Sequence, residues 1–249
     1  MGETVDMPYI MHNGNALHFS LSISKRRKTI ALRISRNGSV AVTAPSYVRT
    51  TVVRRFVRNK VEWVLDKRKY FLEMARKYPP KEFKNGETFP LHGHNFRLKL
   101  LKVPELHKSR FKIEEKRLII FVDWQAGKEQ REIMKEAVRN WYTGHTEKKL
   151  NILINKYAPY LNVLPIKIKV VDQTSRWASC SKTGILRFNW RLSAMPVSVF
   201  EYIVVHELCH LKVHDHSTQF WRTVKSILPD YENSRNWLRE NGIKIALMF

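Results

Sequence analysis

The chain has 249 residues, 43% of them apolar and 11% aromatic, which is enough to bury one large core or two modest ones and argues against disorder. Its formal net charge of +23 sets up either an attractive field for phosphate-bearing partners or a generally solvated basic surface. Two cysteines, Cys180 and Cys209, are too few for a disulfide scaffold. No charge-free apolar run reaches the roughly 20 residues of a membrane span and the opening residues lack a signal-peptide pattern, so a soluble, cytoplasmic protein is expected.

Leu17, Phe19, Leu21 and Ile23 alternate with other residues, as do Ile30, Leu32 and Ile34 before Asn37-Gly38 and Val40 and Val42 after it. Asn-Gly between alternating runs predicts a β-hairpin, because both central turn residues must accept positive φ. Over residues 51–78 the period becomes helical, with Val53, Phe56, Val57, Val61, Val64, Leu65 and Leu72 on one face and Pro79-Pro80 as the stop. Short strands follow in ETFPLHGHNFRLKLL, RFKIEE and RLIIFVD, with His92 and His94 flanking Gly93 in a tight, exposed turn. Residues 128–157 read as a long helix with Ile133, Ala137, Trp141 and His145 on one stripe, His145 hydrogen-bonded at the core boundary and Pro159 ending the helix.

Ile166, Ile168 and Val170 alternate with Lys167 and Lys169, the pattern of a strand with one buried face. A hairpin around Lys182-Thr183-Gly184 is expected to return through Leu186, Phe188, Trp190 and Leu192, and Pro196 to open the next helix, where its missing N–H costs nothing. The whole is an α+β pattern. A basic, β-rich domain with a small, mostly antiparallel sheet and a long helix occupies 1–127, packed on a second domain, 128–249, with a mixed sheet and a histidine-bearing helix. No internal repeat or Gly/Ser linker separates them.

That helix lies in PVSVFEYIVVHELCHLKV, apolar nearly all round and therefore buried on most sides. His206 and His210 are four apart, which puts both imidazoles on one face with Glu207 beside them. This is H-E-x-x-H, in which two histidines bind zinc and the glutamate acts as general base. Two unpaired imidazoles and a carboxylate inside an apolar helix need a compensating partner, and a cation supplies one. A catalytic zinc takes three protein ligands and keeps one position for water. His214, on a continued helix, would stand about 12 Å along the axis from His206, too far for one ion. A bend after Val213 that returns His216 is the favoured solution, with Ser217 capping a new helix through Phe220, Trp221, Val224 and Ile227. His214 and Glu232 remain the alternatives, and Asp215 is a capping or supporting carboxylate.

HELCHLKVHDHSTQFW, preceded by RWASCSKTGILRFNWRL, resembles the YgjP-like metallopeptidases, related to the SprT-like zinc proteases, as do SKRRKTIALRISRNGSVAVTAP and FVRNKVEWV nearer the start. Ala178 stands where family members usually carry glycine. The resemblance implies a zincin-like fold, one zinc ion held by His206, His210 and His216, and Glu207 as the base for a zinc-held water that attacks a peptide carbonyl. Residues 185–192 are expected to offer an edge strand to an extended peptide. Arg176, Trp177, Ser179, Cys180, Asn189 and Arg191 either line or brace the cleft or are structural, with Trp177 and Trp190 reading as core. Cys209 reads as packing, Cys180 as packing or an inhibitory thiolate, and Tyr231 as packing or an oxyanion donor. The partners expected are a peptide or protein substrate and, through the basic surface, nucleic acid or a nucleotide; no membrane is expected. Two other readings use the same residues: a metal-dependent hydrolase of a nucleotide or phosphate ester, which an all-histidine ligand set suits poorly, and a nucleic-acid-binding protein with a structural zinc.

Overall fold

Asn13 (φ 48°) and Gly14 (φ 77°) turn the chain from β1 (Tyr9–His12) into β2 (Asn15–His18) in the computed structural model, which describes residues 8–123 and 128–249. His12 faces Asn15 across a two-residue turn, so the Asn-Gly hairpin with two positive φ values lies here rather than at Asn37-Gly38. A hairpin does form between β4 (Ala31–Ile34) and β5 (Val40–Pro45), after β3 (Ser20–Ser24), but by a wider turn. Only Gly38 takes positive φ (80°). Its N–H donates to the Ser35 carbonyl (2.9 Å) and the Ser35 N–H to that of Ser39 (2.8 Å). The sheet order is β3-β5-β4, with β3 parallel to β5, so it is mixed and not mostly antiparallel.

The helix expected over 51–78 is two helices, α1 (Thr50–Arg58) and α2 (Val61–Lys77). Asn59, a weak helix former, sits at the break, where the Lys60 N–H turns back to the Val57 carbonyl three residues earlier (3.0 Å) and closes the first helix with a tightened turn. Val53, Val57, Val61 and Val64 are buried with Val40, Val42 and Ala44 of the sheet, whereas Leu65 and Leu72 stay exposed.

The chain divides into two compact units after Pro79, not at residue 127, which is among the undescribed residues 124–127. The reason is packing: Phe89, Leu98, Leu118 and Ile120 of the second strand group share one core with the long helix and everything after it. In this second unit β6 (Thr88–Leu91), β7 (His94–Lys102), β8 (Arg110–Glu114) and β9 (Arg117–Val122) form a sheet of order β6-β7-β9-β8, with β7 parallel to β9. The His92-Gly93 turn (φ 51° and 89°) is tight, as expected. His92 itself is half-buried, its ring near His145 (6.2 Å) and Phe200 (6.1 Å) and its N–H bonded to the Ser193 carbonyl (2.8 Å), so only His94 of the pair is exposed. Burial, followed by the neighbouring charges of His145, Lys149 and His94, pushes the His92 pKa down to about 4.

The long helix α3 (Lys128–Leu161) passes through Pro159, which costs a hydrogen bond only in the last turn. Ala137, Trp141 and Tyr142 are buried along it, and His145 lies edge-on to Trp141 (4.9 Å) at the boundary. A three-stranded mixed sheet follows, with β10 (Lys167–Val171) and β11 (Ala178–Cys180) on either side of β12 (Ile185–Asn189). The turn between β11 and β12 is the one expected, with Gly184 at φ 74°. Ile166 lies ahead of β10 and is 76% exposed, leaving Ile168 and Val170 to pack on the core. The return strand stops at Asn189, whose side chain accepts from the Arg191 N–H (3.1 Å) and starts a 3₁₀ turn, Trp190–Ala194, where a continued strand was expected. Helices α4 (Val197–Cys209), α5 (Thr218–Ile227) and α6 (Tyr231–Leu247) complete the unit. Among the described residues no helix is long and apolar enough to cross a membrane.

Candidate metal centre

The 3₁₀ turn that leads into α4 is pinned on two sides. Buried Thr146 of α3 donates its hydroxyl to the Trp190 carbonyl (2.7 Å) and shares a hydrogen bond with Ser193 (2.9 Å). Arg191, with only 10% of its side chain exposed, pairs with Asp172 (2.5 Å), while the Asn189 amide donates to the Gln173 carbonyl (2.6 Å) and contacts that of Arg176 (3.4 Å). Arg191 and Asn189 therefore brace the 172–177 loop beside the site. Helix α4 starts from Pro196 and is buried on most sides, as its unbroken apolar character requires.

The helix ends at Cys209, with His210 as its cap, four residues short of the expected bend after Val213. His210 Nδ1 meets the Val213 carbonyl (3.0 Å), which draws the chain back under the helix and turns Nε2 toward His206. The loop then delivers His216 to the same place. His206 Nε2 lies 3.2 Å from His210 Nε2 and 3.1 Å from His216 Nε2, and all three nitrogens fall within 4.8 Å of one another. Phe220, fully buried in α5, forms the floor: its ring centroid is 4.9, 4.5 and 4.9 Å from those of His206, His210 and His216.

A neutral imidazole nitrogen has one lone pair or one proton, so His206 Nε2 cannot satisfy two other ring nitrogens at once. A tetrahedral ion with bonds of about 2.0–2.1 Å needs ligand nitrogens about 3.3 Å apart, close to the spacings found. Burial, reinforced by His210, His216 and Arg235, holds the His206 pKa down to about 3, and burial also lowers that of His210, so both rings are neutral at neutral pH, the form in which an imidazole can take up a metal ion.

Glu207 is 6% exposed, and its Oε2 is buried with no hydrogen-bond partner. Burial raises its pKa to about 7, against the opposing pull of Arg176 and the Cys180 backbone N–H. A carboxyl group poised between its two protonation states near neutrality is suited to accept a proton and give it back.

The other expected residues fall into place differently. His214, Asp215 and Glu232 are exposed outside the cluster, and Asp215 accepts the Ser217 N–H (3.1 Å), while Ser217 itself makes no side-chain cap. Cys180 is not among the clustered ligands; burial and the Glu207 charge raise its pKa, so it stays a thiol. Cys209 is fully buried in the core. Tyr231 is buried, stacked on Trp221 (5.4 Å) and Tyr202 (6.1 Å), and Trp177 packs against the core by Gly242. Residues 185–192 offer no edge, because β12 is the central strand; the edge next to Glu207 is β11. Phe220, Trp221 and Tyr202, which enclose the imidazoles, read in the sequence only as apolar positions at helical spacing.

The sequence model of the YgjP-like metallopeptidase domain matches residues 28–241, and the chain belongs to this family. It is accordingly a metallopeptidase, a hydrolase acting on peptide or protein substrates. Among solved structures it is similar to the metallopeptidase zymogen of Pyrococcus abyssi abylysin, with 21% identity over 36% of this chain and 93% of that one and a TM-score of 0.34. It is also similar to the zymogen of Methanocaldococcus jannaschii jannalysin, with 24% identity over 37% and 95% of the two chains and a TM-score of 0.30. No curated protein matches the chain.

Proposed function

We propose that this metallopeptidase, of zincin-like architecture, holds one zinc ion through His206, His210 and His216 and hydrolyses peptide bonds with Glu207 as general base. The observation that carries the reading is the convergence of three imidazole nitrogens beside a buried, unpartnered carboxylate oxygen. Bound zinc supplies Lewis acidity and brings the pKa of water toward about 7. Glu207 Oε2 takes the proton of the attacking water and returns it to the leaving nitrogen. Phe220 and Trp221 limit how far the His206 and His216 rings can turn, and the Val213 carbonyl orients His210. The short edge strand β11 offers its backbone to an extended peptide beside Glu207. The purified chain should contain one zinc per molecule by elemental analysis, lose peptide hydrolysis on chelation and regain it with zinc. Full activity without metal would remove the proposal.

A second reading concerns the first unit. Residues 7–61 contain eleven Lys and Arg and no Asp or Glu. All but Arg36 of these cations are exposed. The exposed Tyr47 donates its hydroxyl to the Lys28 carbonyl (2.8 Å), tying the Lys25–Lys28 loop to the turn that enters α1 with Arg49, Arg54, Arg55 and Arg58. We propose that this surface binds the phosphate backbone of nucleic acid alongside the peptidase activity. Affinity for a labelled duplex should fall by at least about tenfold between about 50 and 200 mM salt, and more weakly so in Arg54→Glu/Arg55→Glu/Arg58→Glu. Absence of binding at the lower salt would sink this reading.

A further inference from the structure

His216 is not only a neighbour of the two helix histidines; it is one end of a stack of rings. The half-buried indole of Trp221 stacks with His216 (centroids 5.7 Å, planes 27° apart) and with Tyr231 (5.4 Å, 16°), and Tyr231 stacks in turn on Tyr202 (6.1 Å, 21°). Over the same indole, 4.6 Å from its centroid, stands the guanidinium of Arg235, which projects from the second turn of α6.

An exposed arginine is ordinarily a solvated surface charge, with its long stem free to sample many rotamers. Arg235 differs in two respects. Its guanidinium is held against an aromatic face, which removes much of that freedom while leaving the N–H edges open to a carboxylate in the guanidinium plane. Among the described residues it also has no acidic partner: every ion pair involves other groups, and Glu232, one turn earlier on the same helix, does not reach it. One indole therefore lies against both a fixed, uncompensated cation and the histidine of the proposed metal site. Its charge is felt at Tyr202, at the far end of the stack. Arg176, exposed near Glu207, is a second cation with no ion-pair partner at this site.

We infer that Arg235 is a specificity residue that receives a substrate carboxylate close to the scissile bond, so that acidic peptides are the favoured substrates of this enzyme. The inference rests on the zinc-peptidase reading above and adds to it the chemical class of the substrate. The carboxylate is either an Asp or Glu side chain or the free end of the peptide, since a guanidinium edge accepts both in the same way.

The test uses the full, zinc-loaded chain and fluorogenic peptides that differ only in carrying Glu, Gln or Lys at each position flanking the cleaved bond, each with a free or amidated C-terminus. Glu at one position, or a free terminus, should be favoured over its neutral counterpart by about tenfold in kcat/KM, mainly through KM. In Arg235→Gln that ratio should fall to about one. In Arg235→Glu it should invert toward Lys, and Arg235→Lys should restore part of it. Dependence on the flanking Glu assigns the carboxylate to a side chain, and loss on amidation assigns it to the terminus. Equal turnover of acidic and neutral peptides by the wild type, or an unchanged preference in Arg235→Gln, overturns the inference while leaving the peptidase reading intact. A zinc-loaded wild type that cleaves none of the peptides overturns the peptidase reading and the inference with it.

Discussion

Glu207→Gln should lower kcat for peptide hydrolysis by about 10²–10⁴-fold without changing the zinc content. The amide has nearly the same shape as the carboxyl group, so packing around a residue that is 6% exposed is kept, but it cannot take a proton from water. Metal content should be unaffected because no Glu207 oxygen belongs to the group of three converging ligand nitrogens. Stability should not suffer either. Burial already raises the Glu207 pKa to about 7, which shows that the site penalises the charged form, and a neutral amide avoids that penalty. Steady-state kinetics, elemental analysis and urea unfolding on one preparation separate these effects. A variant that keeps zinc and cleaves peptides at the wild-type rate would remove Glu207 from the chemistry.

His216→Ala should abolish stoichiometric zinc binding, whereas His214→Ala and Glu232→Gln should leave it intact. The loss should exceed the roughly 10–100-fold in affinity that removing a supporting group outside the ligand set commonly costs, because one of three protein ligands is gone. His216 is the residue to change first: it lies at the exposed rim, so its removal opens no core cavity, unlike truncation of the more deeply set His206. The measurement is zinc affinity by competition with a chelator at fixed pH, together with peptidase rate. Retention of tight zinc by His216→Ala and its loss in His214→Ala or Glu232→Gln would mean that a rearranged loop supplies the third ligand.

The helix histidines were legible because a period of 3.6 residues turns a spacing of four into a shared face, and that relation needs no tertiary information. The same is true of strands read from alternation, such as β5 with Val40 and Val42 buried and Ala41 half-buried between them. Features that depend on a balance of small local energies were less legible. Whether residues 51–78 form one helix or two turned on a single weak position at Asn59. Whether the chain after Asn189 stays extended turned on one hydrogen bond accepted by the Asn189 side chain from the Arg191 N–H. Sheet neighbours were not legible at all. Alternation assigns a residue to a face but says nothing about which strand lies alongside, and so β12 was expected at an edge that β11 occupies.

By itself the sequence determined that two imidazoles and a carboxylate share one buried helical turn, and that the chain must bend for a third ligand to join them. Only the tertiary structure decided that His216 rather than His214 or Glu232 arrives there, that Phe220 forms the floor, and that Trp221 and Arg235 stand beside the opening. The physical reason is range. Helical periodicity relates residues a few positions apart, whereas the meeting of a loop, α5 and α6 at one point depends on how separate elements pack, which no local pattern encodes.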